Sequence, residues 1–193
     1  MEADIDLPGF ADPVHGSQAS FRALLSAMSR PGSLHTLGAA LTPPAGLDQA
    51  TAAVLLTLID NETTLWLDPR LAAARGWIGF HCGATVAPTP EQAGFVLAID
   101  WPELGALATG TDEGPEDAAT VICQLAALGD GPAYRLSGPG LAATAILRVR
   151  GLPADFVAVW QRNHALYPRG VDLVLCAGTT LAALPRSVHI EAG

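Results

Sequence analysis

Short apolar runs recur along this chain at Thr63–Leu67, Phe95–Ile99, Ala119–Leu125 and Val171–Cys176, and they limit its architecture more than any other feature. Each has strand length, and turn residues close the first two, Asp68-Pro69 and Asp100-Trp101-Pro102. A short unbroken apolar run reads as a strand covered on both faces. Helical spacing occupies much of the sequence between them. Phe21, Leu24, Leu25 and Met28 predict a helix over Ser17–Ser29, stopped by Pro31-Gly32. Asp48 reads as the N-cap of a second helix running to about Ile59, and an alanine-rich third runs to Arg75-Gly76. Pro153–Leu166 predicts the last. Ala119–Leu125 and Ala133–Ser137 read as strands joined by a hairpin turn at Gly129-Asp130-Gly131, with Ala145–Val149 following. Ser33–Leu37 and Ser187–Ile190 are weaker strand candidates, and residues 77–94 fit no single pattern. Interleaved strands and helices predict an α/β fold: a single domain over residues 1–193, with a mixed β-sheet flanked by helices and a flexible N-terminal segment at 1–16.

Composition narrows the function classes. With 50% hydrophobic and 15% charged residues, the chain can bury a core and is not disordered. No apolar stretch approaches the roughly 20 residues of a membrane span. Glu2, Asp4 and Asp6 stand where a secretory signal carries basic residues, so a soluble, cytoplasmic protein is expected. A net charge of −9 argues against nonspecific binding to nucleic acid or anionic membrane. All ten basic residues are arginine. The missing lysine removes Schiff-base chemistry, a pyridoxal-phosphate aldimine and a lysine-bearing P-loop. Cys82, Cys123 and Cys176 form no C-x-x-C pair and read as buried reduced thiols.

The remaining chemistry lies in loops. None of the five histidines has metal-ligand spacing, so no metal site is expected. Ser137-Gly138-Pro139-Gly140 could present backbone N–H groups to an anion, or could be a tight chain reversal, since Pro139 removes one donor. Arg169, in Tyr167-Pro168-Arg169-Gly170-Val171-Asp172, and Arg186, in Leu184-Pro185-Arg186-Ser187, follow prolines at element ends. Each could bind a phosphate bidentately or could pair with a nearby carboxylate.

Five collinear segments carry a resemblance. Phe21-Arg22-Ala-Leu-Leu-Ser-Ala-Met28-Ser29-Arg-Pro31-Gly32 is similar to the N-terminal signature of the PhnH family of the bacterial carbon–phosphorus lyase system. Gly110-Thr111-x-x-x-Pro115-Glu116, Leu136-Ser137-Gly138-Pro139-Gly140, Pro168-Arg169-Gly170-Val171-Asp172 and Leu184-Pro185-Arg186 agree in order. Leu141 and Tyr167 depart mildly, where the family often has isoleucine and phenylalanine. The resemblance implies a fold like that of the pyridoxal-phosphate-dependent transferases without their cofactor. It implies action with PhnG, PhnI and PhnL in forming alpha-D-ribose 1-methylphosphonate 5-triphosphate from ATP and methylphosphonate. It also implies membership of a core complex with PhnG, PhnI and PhnJ. A high apolar fraction and sparse charge, in a family that acts within an assembly, add the expectation of a homodimer in isolation. Two roles fit. The chain could contribute to catalysis, with Arg169, Arg186, Ser137, Gly138 and Gly140 holding phosphate or phosphonate. It could instead be a noncatalytic assembly subunit, which the lack of an evident general acid or base favours.

Overall fold

The computed structural model describes residues 5–193. Its elements are α1 (Pro13–Ser29), β1 (His35–Thr36), α2 (Gln49–Leu58), β2 (Thr64–Leu67), α3 (Arg75–Cys82), β3 (Thr85–Val86), β4 (Phe95–Ala98) and β5 (Thr120–Gln124). Then come β6 (Ala127–Ser137), β7 (Ala145–Arg150), α4 (Phe156–His164), β8 (Asp172–Ala177), β9 (Thr180–Leu184) and β10 (His189–Ala192). A seven-stranded sheet has the order β1-β9-β8-β5-β4-β2-β3, and a three-stranded sheet has the order β10-β6-β7. In the large sheet β3, β2, β4, β5 and β8 run parallel, while β9 returns antiparallel to β8.

Alternation explains why the central runs are apolar throughout. Leu97, Ile122 and Val174 point to a core shared with α1, α2 and α3, where Leu24, Leu55 and Trp77 are buried. Their neighbours Val96, Val121 and Leu173 point to the opposite core, shared with the small sheet and α4, where Leu136, Leu147, Phe156 and Trp160 are buried. Both faces of each strand therefore need hydrophobic side chains. The expectation of an α/β domain with a mixed sheet holds. The flanking layer on one face, however, is a second sheet with a single helix rather than helices alone.

Other expectations are corrected. The proposed hairpin turn at 129–131 lies inside β6, an eleven-residue strand, where the register against β7 shifts between Leu128 and Ala133. Gly131 has φ 100°, and a Cβ there would lie 2.9 Å from the Val149 carbonyl oxygen, so this glycine serves a bulge. The chain changes sheets between β5 and β6, so these strands never pair as a hairpin. β9 had no counterpart in the sequence reading; Gly178, at φ 56°, supports the short turn into it from β8.

The segment 1–16 is not free over its described part. α1 begins at Pro13, four residues before the predicted start, with Asp12 accepting from the His15 N–H as N-cap. The Leu7 carbonyl accepts from buried Trp77 Nε1 at 2.9 Å. Residues 1–4 of that segment lie outside the described residues. Asp48 occupies the N-cap position of α2 without making the capping bond; its carboxylate accepts from the Gly178 N–H instead. All three cysteines are free and buried, and burial pushes the Cys82 and Cys176 thiols up to about 12. Among the described residues no helix is long and apolar enough to cross a membrane.

Candidate functional site

The parallel strands give the large sheet two distinct ends, and the sequence-predicted residues gather at the amino end. Arg186 follows β9, and Asp172 opens β8. Because these strands are antiparallel neighbours, with Leu173 opposite Leu184, the two residues meet. The Arg186 guanidinium donates from Nε to both Asp172 carboxylate oxygens at 3.2 Å and from Nη2 to Oδ2 at 2.6 Å. Its peptide N–H also donates to Asp172 Oδ1, and its Nη1 donates to the Pro115 carbonyl at 2.6 Å. The side chain is only 14% exposed. Arg186 thus ties β8, β9 and the 110–117 loop together, with little donor capacity left for an oxyanion.

Arg169 lies nearby but makes a different pair. Its Nε is 3.2 Å from Asp112 Oδ1, off the hydrogen-bond line and without a hydrogen-bond partner. The segment leading to β8 is held from α4: buried Asn163 accepts from the Val171 N–H and donates to the Val171 carbonyl. Gly170, at φ 112°, fits there because a Cβ would approach Asn163 Oδ1 to 2.9 Å. Arg169 and Asp172, three residues apart in the sequence, take different partners: Arg169 pairs with Asp112 and Asp172 with Arg186.

The Ser137–Gly140 turn is a tight reversal, closed by the Leu141 N–H to the Gly138 carbonyl at 3.2 Å. A Cβ on Gly138 would come within 3.1 Å of the Ser187 carbonyl oxygen, and one on Gly140 would overlap the Ser29 carbonyl. The glycines are therefore explained by backbone packing against the first signature segment, at Ser29, and against Ser187, the residue after the last one. Segments 110–116, 168–172 and 184–186 converge through Arg186, and 29–32, 136–140 and Ser187 converge through these glycines. Distant pieces of the sequence close one corner of the fold.

The carboxyl end of the parallel strands carries a hollow that sequence reasoning missed. The chain leaves β2 towards the helical core, burying Leu71 and Ala74, and leaves β4 towards the opposite core, burying Leu104 and Leu107. Where adjacent parallel strands send their connections to opposite faces, a crevice opens, and open α/β sheets bind ligands in such crevices. Here it has a volume of about 490 Å³ and is lined by Trp66, Asp68, Arg70, Glu91, Trp101 and Glu103, among others. Asp68 bridges it, accepting from the Ile99 N–H at 3.0 Å and the Asp100 N–H at 3.2 Å across the crevice. It also accepts from the Arg70 N–H and the Arg70 guanidinium, which reaches Asp100 as well. Burial pushes the Asp68 carboxyl up, but the Arg70 side chain and the three N–H donors outweigh it and hold it well below the usual carboxylate range. The only sequence signal was the pair of aspartates ending two strands.

Chemically the crevice is acidic, with Arg70 already engaged by two carboxylates. Asp68 stays ionised and saturated with donors, which suits it to fastening the crevice rather than to proton transfer. Among the described residues no group of three or more histidine, cysteine or acidic side chains is placed to hold a metal ion.

Against known proteins, the family model described as bacterial phosphonate metabolism protein (PhnH) matches residues 8–191. A relative from Rhizobium meliloti (strain 1021), named alpha-D-ribose 1-methylphosphonate 5-triphosphate synthase subunit PhnH, is 40% identical over 187 residues, covering 94% of each chain. A Stutzerimonas stutzeri protein bearing the name C-P lyase subunit protein HtxG is 35% identical over 180 residues, covering 90% of this chain and 85% of that one. The matched span takes in every signature segment that closes the amino-end corner, and the chain belongs to the PhnH family of bacterial phosphonate metabolism proteins.

Proposed function

We propose that this chain is the PhnH-type subunit of a synthase forming alpha-D-ribose 1-methylphosphonate 5-triphosphate within a carbon–phosphorus lyase system, and that its role there is assembly and support. The reading rests first on its relatives' names. The structural observation behind the supporting role is that Arg186 is spent on Asp172 and a backbone carbonyl, while Asp68 at the crevice is saturated. A catalytic subunit would keep an acid, a base or an open cation aimed at substrate. In this reading PhnG-, PhnI-, PhnJ- and PhnL-type proteins are the partners, the isolated chain is a homodimer, and the site of action is the cytoplasm. No pyridoxal phosphate is used, since the chain has no lysine to form an aldimine.

The test is calorimetric titration of the purified chain with ATP and with methylphosphonate, beside growth of a deletion strain on methylphosphonate. Loss of growth on deletion, with no heat from either ligand, is expected. Saturable binding of either ligand by the isolated chain would replace the supporting role with direct substrate binding by this chain.

A further inference from the structure

The small sheet turns one face to the core and the other to solvent, and the solvent face is basic in a chain of net charge −9. Tyr134, Leu136, Leu147, Val149 and Ile190 point inwards. Alternation then puts Arg135 of β6 and Ile146, Arg148 and Arg150 of β7 on the outer face, where all four are exposed. The register makes them neighbours: Arg135 lies opposite Ile146, and Arg148 opposite Ala133. Three of the ten arginines therefore share one face of one sheet.

Two acidic residues flank this patch and offset part of its charge. Asp130 pairs with Arg150 at one end, and Glu191 stands opposite Arg135 on β10. Among the described residues, Arg135 makes no ion pair or hydrogen bond through its side chain, and the Arg148 guanidinium has only the Gly131 carbonyl, at 3.3 Å. Charges on an edge strand can be explained as guards against unwanted pairing. That accounts for Arg148 and Arg150 on β7, but β6 is the central strand, so Arg135 needs another reason. Ile146, 51% exposed between arginines, gives the patch an apolar centre with a charged surround, the anatomy of a protein interface.

We propose that this outer face, Arg135, Ile146, Arg148 and Arg150, docks an acidic surface of another subunit of the synthase. The inference rests on the assembly role proposed above. Charge complementarity chooses the occupant. A second copy related by a two-fold axis would set these arginines against their own symmetry mates. The crevice at the carboxyl end is lined by other residues, and these four side chains stand exposed on an open sheet face, which offers a small anion no enclosure.

The experiment uses the full chain with Arg135→Glu and Arg148→Glu together, and Arg22→Glu with Arg162→Glu as a control of equal charge change at exposed sites elsewhere. Each is co-purified with the other synthase subunits of the same organism, and affinities are measured at low and high salt. Like-charge apposition across the interface is expected to weaken association by about a hundredfold in the first variant. Wild type and the control should bind alike, and wild-type affinity should fall with salt. All three should melt within a few degrees of one another, the first variant lowest because a second carboxylate then faces Glu191. Unchanged affinity of the Arg135/Arg148 variant overturns the proposal while leaving the assembly role standing. So does an equal loss in the control. Intact assembly combined with lost retention of a labelled single-stranded oligonucleotide assigns the face to nucleic acid and also overturns it. If wild type itself fails to associate with the other subunits, the assembly role falls, and this inference with it.

Discussion

Arg186→Ala separates a fold-bearing arginine from a substrate-binding one, because the structure fixes the size of its effect. The variant leaves Asp172, 22% exposed, without the guanidinium that donates to both of its oxygens, and strips the Pro115 carbonyl of a donor at 2.6 Å. Breaking a buried pair by removing one partner costs about 3–5 kcal/mol, and the residual exposure of both side chains moves the expectation towards the lower end, about 3 kcal/mol. For a domain of this length each kcal/mol lowers the melting temperature by about 2–4 °C, so a fall of about 6–12 °C is expected. Asp172→Ala removes the same pair from the other side. The double variant should therefore be less destabilised than the sum of the singles, by about 2 kcal/mol. Arg186→Lys keeps the charge but loses the fork, and should recover less than half of the loss. The assay is thermal and urea unfolding of the four proteins, beside growth on methylphosphonate normalised to folded protein. An unchanged melting temperature for Arg186→Ala together with abolished growth would refute the reasoning and return Arg186 to substrate binding.

Asp68→Asn should destabilise the protein by about 2 kcal/mol at neutral pH, through the weakened bonds from the Ile99 and Asp100 N–H groups. The folded carboxyl lies below its ordinary value of 3.8, so its stabilisation is complete above that value and fades as pH falls through the folded one. The melting-temperature gap between wild type and Asp68→Asn should be flat from pH 8 to about 5 and should narrow below about 4; a gap that widens in acid would contradict this. Burial pushes all three thiols up, Cys82 and Cys176 to about 12, so native protein at pH 8 should resist a thiol-specific disulfide reagent and release all three only on unfolding. One equivalent reacting quickly in the native state would refute that.

Chemistry confined to single residues or short windows was legible without a structure. Unbroken apolar runs announced strands covered on both faces, since alternation leaves no position for a polar side chain when both neighbours are cores. The absence of lysine set the expectation that no aldimine forms. The collinear segments pointed to the family, and the choice between phosphate forks and salt bridges was already framed for Arg169 and Arg186.

Tertiary structure decided every pairing. Asp172 was read beside Arg169, three residues away, yet its partner is Arg186, because the antiparallel return of β9 along β8 brings the strand ends together. β9 itself was invisible because Thr180–Leu184 is alanine-rich and its strand character comes from the neighbour that it pairs with. The small sheet was hidden for the same reason: local glycines suggested a hairpin at 129–131, while the change of sheet after β5 depends on which face needs covering. Asp68 and the Ile99 and Asp100 N–H groups are 31 and 32 residues apart, and only the parallel adjacency of β2 and β4 opens the crevice between them. The basic outer face likewise required knowing which alternate residues of β6 and β7 point away from the core. A sequence records what each side chain can do locally; which partner satisfies it is set by strand order, and strand order is a property of the whole buried core.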